Sequence, residues 1–270
     1  MSDPRIKPRV PAVNHEHPLA KGLIGAWLFQ AGGGLVGRDV SGHGHESSNG
    51  STAWRRSPYG PALLFPGGTP GPYMIAQRGD TTLAHFTISL VFKAPTQANT
   101  YWYSLFNANS SSGGGAADND IVIWFEAKSP YWRYSLNINN LTASATTGHI
   151  HENDVWTNLV CTYDQTALKI YKNGVLEASS AASVALNQTG TNWEFAGWAN
   201  AVPTRTTTCT MSSAMIFDRA LSEAEIADLY RDQWSLFRQP EPVLSNAPAG
   251  GLFEFDQLTG GMPDLRGGMV

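Results

Sequence analysis

Three pairs of histidines are the first side chains whose spacing carries chemical meaning: His15/His17, His43/His45 and His149/His151. In extended backbone, residues two apart project from one face, so each pair offers two imidazoles to a single Zn²⁺. No pair has a third ligand at a fixed spacing, so loop and surface histidines are the expectation. Nucleophilic chemistry has less support still. No Ser-His-Asp or Cys-His constellation carries a local signature, and no glycine pattern of the phosphate-cradling or dinucleotide-binding kind occurs. The two cysteines, Cys161 and Cys209, are far apart in sequence. Cys161 falls in a strand pattern, which predicts a buried free thiol.

Aromatic residues offer a different chemistry. Trp102, Tyr103, Tyr131, Trp132, Trp193 and Trp198 share their stretches with Asn107, Asn109, Asp118 and Asn119. Flat apolar rings beside hydrogen-bonding groups suit the stacking of sugar rings. Tyr131, Trp132 and Trp198 lie nearest to predicted loops and are the candidate glycan-binding residues. Trp27 and Trp156 read as core.

Short strands must position these groups. The pattern is clearest from Val155 to Ala178, where two β-rich runs flank a polar turn and Asn173-Gly174 marks a second one. Asn-Gly favours a type I′ hairpin because both central residues need positive φ. Strands are predicted near 156–163, 167–172 and 175–179. In the first, Leu159, Cys161 and Tyr163 share one face and Val160 and Thr162 the other. Phe86, Ile88, Leu90 and Phe92 alternate in the same way. Further strands are predicted near 23–29, 62–65, 73–76, 102–106, 121–126, 132–138, 193–198 and 209–217, with a long irregular stretch from about 39 to Pro61. One helix is predicted over 223–232, opened by the Ser222-x-x-Glu225 capping box and carrying Ile226, Leu229 and Tyr230 on one stripe. About a dozen short strands separated by turns predict an all-β sandwich or jelly roll.

The chain has 270 residues, of which 15% are charged, and a net charge of −4 with no basic run. Nucleic acid is therefore not an expected partner. No apolar run approaches about 18 residues, so no membrane span is expected. The N-terminus has no apolar core of the signal-peptide kind, and none is expected. Residues 1–18 carry Pro4, Pro8, Pro11 and Pro18 and read as an extended N-terminal arm. Residues 239–270 return to Pro, Gly and isolated hydrophobes, Leu252, Phe253, Phe255, Leu258, Met262 and Leu265. These read as an extended C-terminal arm whose apolar residues dock on a partner.

The order of motifs resembles a known family. Gly22-Leu-Ile-Gly-Ala-Trp-Leu-Phe29, Asp39-Val-Ser-Gly-His-Gly-His45, Ala62-Leu-Leu-Phe-Pro-Gly-Gly68, Phe86-Thr-Ile-Ser-Leu-Val-Phe92, Trp156-Thr-Asn-Leu-Val-Cys-Thr-Tyr-Asp164, Leu168-Lys-Ile-Tyr-Lys-Asn-Gly-Val175 and Ala214-Met-Ile-Phe-Asp-Arg-Ala-Leu-Ser-Glu-Ala-Glu-Ile226 follow one another. Together they look like a laminin G-like, concanavalin A-like lectin/glucanase jelly roll over 19–238. The resemblance implies two antiparallel sheets with one short C-terminal helix between extended terminal arms. Leu229-Tyr-Arg-Asp-Gln-Trp-Ser-Leu-Phe-Arg-Gln-Pro240, with His17-Pro-Leu-Ala-Lys-Gly-Leu23, is similar to members carried by tailed bacteriophages. That similarity implies a virion-associated protein, made in the host cytoplasm and displayed on the particle.

Two site expectations follow from the resemblance. Related jelly rolls hold calcium between the early Asp-x-Ser-Gly loop and the final strand, which makes Asp39 and Asp218 the candidate calcium ligands. His43 and His45 stand where similar proteins carry Asn, a departure from that pattern. Glucanases of the superfamily share a strand with alternating acids. The only near match is Glu254-Phe-Asp256, which lacks the second Glu and falls in the C-terminal arm, so no enzymatic activity is expected. The leading expectation is a non-enzymatic capsid decoration protein that docks on capsid or other virion proteins through its arms, as a closed homo-oligomer. The alternative is a carbohydrate-binding adhesion module on the virion that attaches to host surface glycans.

Overall fold

The computed structural model describes residues 6–8, 10–50, 52–67, 73–79, 81–95, 102–109, 119–128, 131–139, 141–148, 150–186, 191–197 and 206–238. Sixteen strands lie among them. In chain order they are β1 Leu23–Trp27, β2 Val36–Gly37, β3 Ser47–Asn49, β4 Ala53–Ser57, β5 Gly60–Pro66, β6 Met74–Gln77, β7 Phe86–Lys93 and β8 Trp102–Asn109. The second half adds β9 Asn119–Lys128, β10 Tyr131–Ile138, β11 Ala143–Thr146, β12 Thr157–Tyr163, β13 Ala167–Lys172, β14 Val175–Ala181, β15 Asn192–Phe195 and β16 Thr208–Phe217. One α-helix follows, α1, Glu223–Arg231.

The strands form two antiparallel sheets. The first runs β14-β13-β12-β7-β16-β5-β4, with β1 also paired to β16. The second runs β11-β10-β9-β8-β15-β6-β3-β2. This is a jelly-roll β-sandwich, as the strand pattern predicts. Between the sheets lies the main core, where Leu159, Cys161 and Tyr163 meet Phe86, Ile88, Leu90 and Phe92 from one side and Phe106, Phe125 and Leu136 from the other. Each face of the central strands is apolar because each face is covered. Val160, Met215 and Phe217 point away from the main core into a second cluster under α1, with Ile226, Leu229, Trp234 and Phe237.

Local chemistry sets the connections. Asn173 and Gly174 have φ of 53° and 80°, the double positive φ of the predicted type I′ turn. Ser222 accepts from the Glu225 N–H while Glu225 accepts from the Ser222 N–H, so the capping box is formed. Arg219 holds the same carboxylate through both oxygens, at 2.7 and 3.0 Å. That pairing draws the Glu225 carboxyl down to about 2. Tyr230, placed by the pattern on the apolar stripe, is 49% exposed.

Two expectations need correction. The stretch read as irregular before Pro61 contains β3 and β4. Their short polar runs show no apolar alternation, and pairing to neighbours defines them instead. The described part of the N-terminal arm forms no strand, turns at residues 15–16 into a 3₁₀ turn at Pro18–Ala20, and lies on its own domain. The Lys7 N–H donates to the Tyr59 carbonyl and the Asn14 N–H to that of Leu236. Lys7 Nζ donates to the Pro61 carbonyl and sits 5.6 Å above the Trp234 ring. Burial lowers the Lys7 ammonium to about 7. This segment is committed to its own fold and is not a free docking arm. The C-terminal arm, 239–270, with Leu252, Phe253, Phe255, Leu258, Met262 and Leu265, lies outside the described residues.

Candidate functional site

Asp39 follows the short β2 strand and reaches back to β1. It is 7% exposed. Its Oδ1 accepts from the N–H groups of Ala26 and Ser41, both at 2.9 Å. Its Oδ2 accepts from Ser41 Oγ at 2.8 Å and the His45 N–H at 2.9 Å. Four donors therefore fill the places a cation would need. Asp218 is exposed, and its N–H bonds the Gly22 carbonyl. Gly22 immediately precedes β1 and Ala26 is its fourth residue, so the two carboxylates belong to positions about 13 Å apart. The residues do not fit a shared calcium site. Asp39 clamps the loop that His43 and His45 occupy.

His149 lies outside the described residues; several of the other paired histidines are engaged within the fold, and His151 is buried rather than at the surface as expected. The His43 and His45 rings stack at 6.3 Å, and the His45 ring meets Trp193 edge to face at 4.8 Å. His45 Nδ1 lies 2.9 Å from the Gln77 carbonyl. His17 caps a 3₁₀ turn by accepting from the Leu19 N–H. His151 is buried, with Nδ1 2.7 Å from the Tyr134 hydroxyl. Among the described residues, no three His, Cys, Asp or Glu side chains gather to hold a metal. Both cysteines are buried free thiols, and burial pushes both thiols up.

Of the candidate glycan-binding aromatics, Trp132 is the one whose side chain is among the described residues. Trp132 is half-buried, and one face of its indole stacks on Phe125 at 5.0 Å. Tyr131 is described as backbone in β10, without its side chain, and Trp198 lies outside the described residues. Trp193 is fully buried against Trp27.

The outer face of the second sheet is more informative. Its strands alternate, and the residues turned away from the main core form rows across the sheet. Asn137, Val122, Asn107 and Glu194 pair successively across β10, β9, β8 and β15. Ser135, Trp124 and Ser104 make the next row. Arg133 pairs with Glu126 in a third, where the guanidinium and carboxylate meet at 2.7 Å. Glu194 is fully buried, and Asn107 Nδ2 donates to its Oε2 at 3.4 Å. No sequence signal marks this buried polar face, because polar residues alternating along a strand read as solvent-facing.

Sequence reasoning also missed Trp156. It is half-exposed and lines a cavity of about 300 Å³ with Asn158, Tyr59 and Tyr230. Its place at the very start of a strongly apolar strand gave it the look of core.

Comparison with known proteins agrees with this architecture. A family model described as the concanavalin A-like lectin/glucanases superfamily matches residues 67–227. No curated protein matches the sequence. Among solved structures, the receptor binding domain of botulinum neurotoxin D is 14% identical, with a TM-score of 0.62, covering 80% of this chain and 54% of that one. The binding domain of botulinum neurotoxin DC, solved with rat synaptotagmin II, is 13% identical, with a TM-score of 0.59, covering 78% and 51%. Domain 4 of an extracellular arabinanase from Geobacillus stearothermophilus, solved with arabinotriose, is 16% identical, with a TM-score of 0.56, covering 77% and 98%. The matched region is about half of each toxin structure and nearly all of the arabinanase domain. At these identities the likeness is one of fold.

Proposed function

We propose that this chain, which belongs to the concanavalin A-like lectin/glucanase superfamily, is a non-enzymatic recognition module that binds carbohydrate. The observation that carries the reading is the separation of Glu194 and Glu126, the two acids with described side chains on the outer face of the second sheet. Glu194 stands in the row of Val122, and Glu126 is four residues further along β9. With β15 two strands from β9, strand geometry puts the two positions roughly 16 Å apart. Glycosidases need their carboxyls within about 5–9.5 Å. Glu126 is also held by Arg133 and Glu194 by Asn107. The same fold serves an arabinotriose-bound domain and toxin binding domains, which supports binding over hydrolysis.

The setting we assign is the surface of a bacteriophage particle, on the strength of the sequence resemblance of 229–240 and 17–23. There the apolar-dotted 239–270 segment attaches the module to capsid or other virion proteins as a decoration protein, and the sandwich engages host surface glycans.

A glycan array probed with the full-length chain tests the reading, with mass spectrometry of the retained glycans. Saturable binding of intact glycans is expected. Released sugar, or no binding to any glycan, overturns it. Co-sedimentation of the full chain with phage particles, lost on removal of 239–270, tests the setting.

A further inference from the structure

The start of β12, the β13–β14 turn, the Tyr59 turn and the C-terminal end of α1 surround the 300 Å³ cavity. Tyr59 and Trp156 meet edge to face, 5.5 Å apart at 85°, so their rings form a corner. Tyr230 lies beside the turn because Gly174 leaves room for it. An added Cβ there would come within 3.1 Å of the Tyr230 ring, at a φ of +80°.

Asn158 is the unusual member. It is 6% exposed, and neither Nδ2 nor Oδ1 has a hydrogen-bond partner among the described residues. Gln233, 9% exposed, leaves its Oε1 without one. Folded proteins pair their buried amides, and one left unpaired calls for an explanation. A larger cavity, about 760 Å³, opens beside Leu28, Val36 and Trp54, but no such unpartnered atom belongs to its described lining. The smaller cavity combines aromatic walls with polar groups that no described residue satisfies.

Resting on the reading of the chain as a carbohydrate-binding module, we infer that this cavity holds one neutral pyranoside residue of a glycan, anchored by Asn158. A carboxamide presents a donor and an acceptor side by side. Two adjacent sugar hydroxyls, each able to donate and accept, match that pair. Gln233 Oε1 accepts from a further hydroxyl. The apolar C–H face of the ring lies against the aromatic corner, which fits an amphipathic ligand with one wet edge. Charge selects neutrality. Arg231 is the one charged side chain in the described lining, and Asp228 pairs with it at 2.6 Å. The volume is at the small end for ligand sites and suits one ring rather than a chain.

Calorimetric titration of the full-length chain with methyl glucoside, galactoside, mannoside and N-acetylglucosaminide, and with any glycan retained on the array, tests the assignment. At least one should bind saturably, and Asn158→Leu should weaken it tenfold or more. The Tm of Asn158→Leu should hold or rise, because a side chain of similar shape replaces an amide with no protein partner. Tyr230→Ala changes a half-exposed side chain and gives a second probe that folding does not confound; it too should weaken binding. Glycan binding that survives both substitutions overturns the cavity assignment and leaves the carbohydrate reading standing. No glycan binding by the unaltered chain overturns both.

Discussion

Removing the Asp39 carboxylate tests most sharply whether that residue builds a loop or holds a cation. Asp39→Ala strips hydrogen bonds from three backbone N–H groups and one hydroxyl. Ala26 and Ser41 are 0% and 5% exposed, so water does not replace the lost acceptor at either. Each orphaned buried donor costs about 1–3 kcal/mol, which puts the loss near 4 kcal/mol for the two. His45 is half-exposed, and water satisfies its N–H at little cost. For a domain of this size each kcal/mol moves Tm by about 2–4 °C, so Tm should fall by roughly 8–16 °C. Asp39→Asn keeps one oxygen for Ala26 and Ser41 but turns an amide toward the His45 N–H, and should cost about half as much. Differential scanning calorimetry with and without millimolar Ca²⁺ reads both effects. A calcium ligand would give a Tm that rises with Ca²⁺, by the equivalent of about 2.7 kcal/mol at a hundredfold excess over Kd. A loss below about 1 kcal/mol for Asp39→Ala, or a calcium-dependent Tm abolished by Asp39→Asn, refutes the clamp.

Other substitutions probe the supporting structure. The Glu225 carboxyl is drawn from 4.5 to about 2 mainly by its hydrogen bonds from Arg219. Its contribution to stability is therefore complete above about pH 4.5 and lost as pH falls toward 2, and Glu225→Gln should remove that part of the acid dependence in a pH series of urea melts. Lys7 shows the opposite behaviour. Burial lowers it from 10.5 to about 7, so the unfolded chain binds more protons between those values and stability should rise with pH across that window. Lys7→Met should flatten that rise in the same melts. Cys161 and Cys209 should resist a thiol reagent in the native chain and react on unfolding, because both are buried with thiols pushed up; rapid native labelling would contradict their placement.

Much of the sandwich was legible because its central strands obey simple periodicities. Phe86–Lys93 alternates so cleanly that its bounds and its inward face both follow from sequence. Asn173-Gly174 and Ser222-x-x-Glu225 carry their geometry in two to four residues. What was not legible depends on partners distant in sequence. Ser47–Asn49 is a strand because β2 and β6 flank it, and nothing in Ser-Ser-Asn announces this. The burial of Glu194 depends on tertiary structure alone. Trp156 misled because its neighbours are core while it lies at the rim. The N-terminal arm misled in the other direction. Its prolines point to a loose extended segment, but Lys7 and Asn14 find their bonds on their own domain. Composition alone does not reveal that destination.

Hydrogen–deuterium exchange of the full-length chain, with and without a saturating glycan from the array, tests the central claim most directly. The account predicts protection concentrated at 156–159, 173–175 and 229–233, with the glycan recovered intact. Protection confined to β8, β9 and β15, or recovery of cleaved sugar, would contradict it.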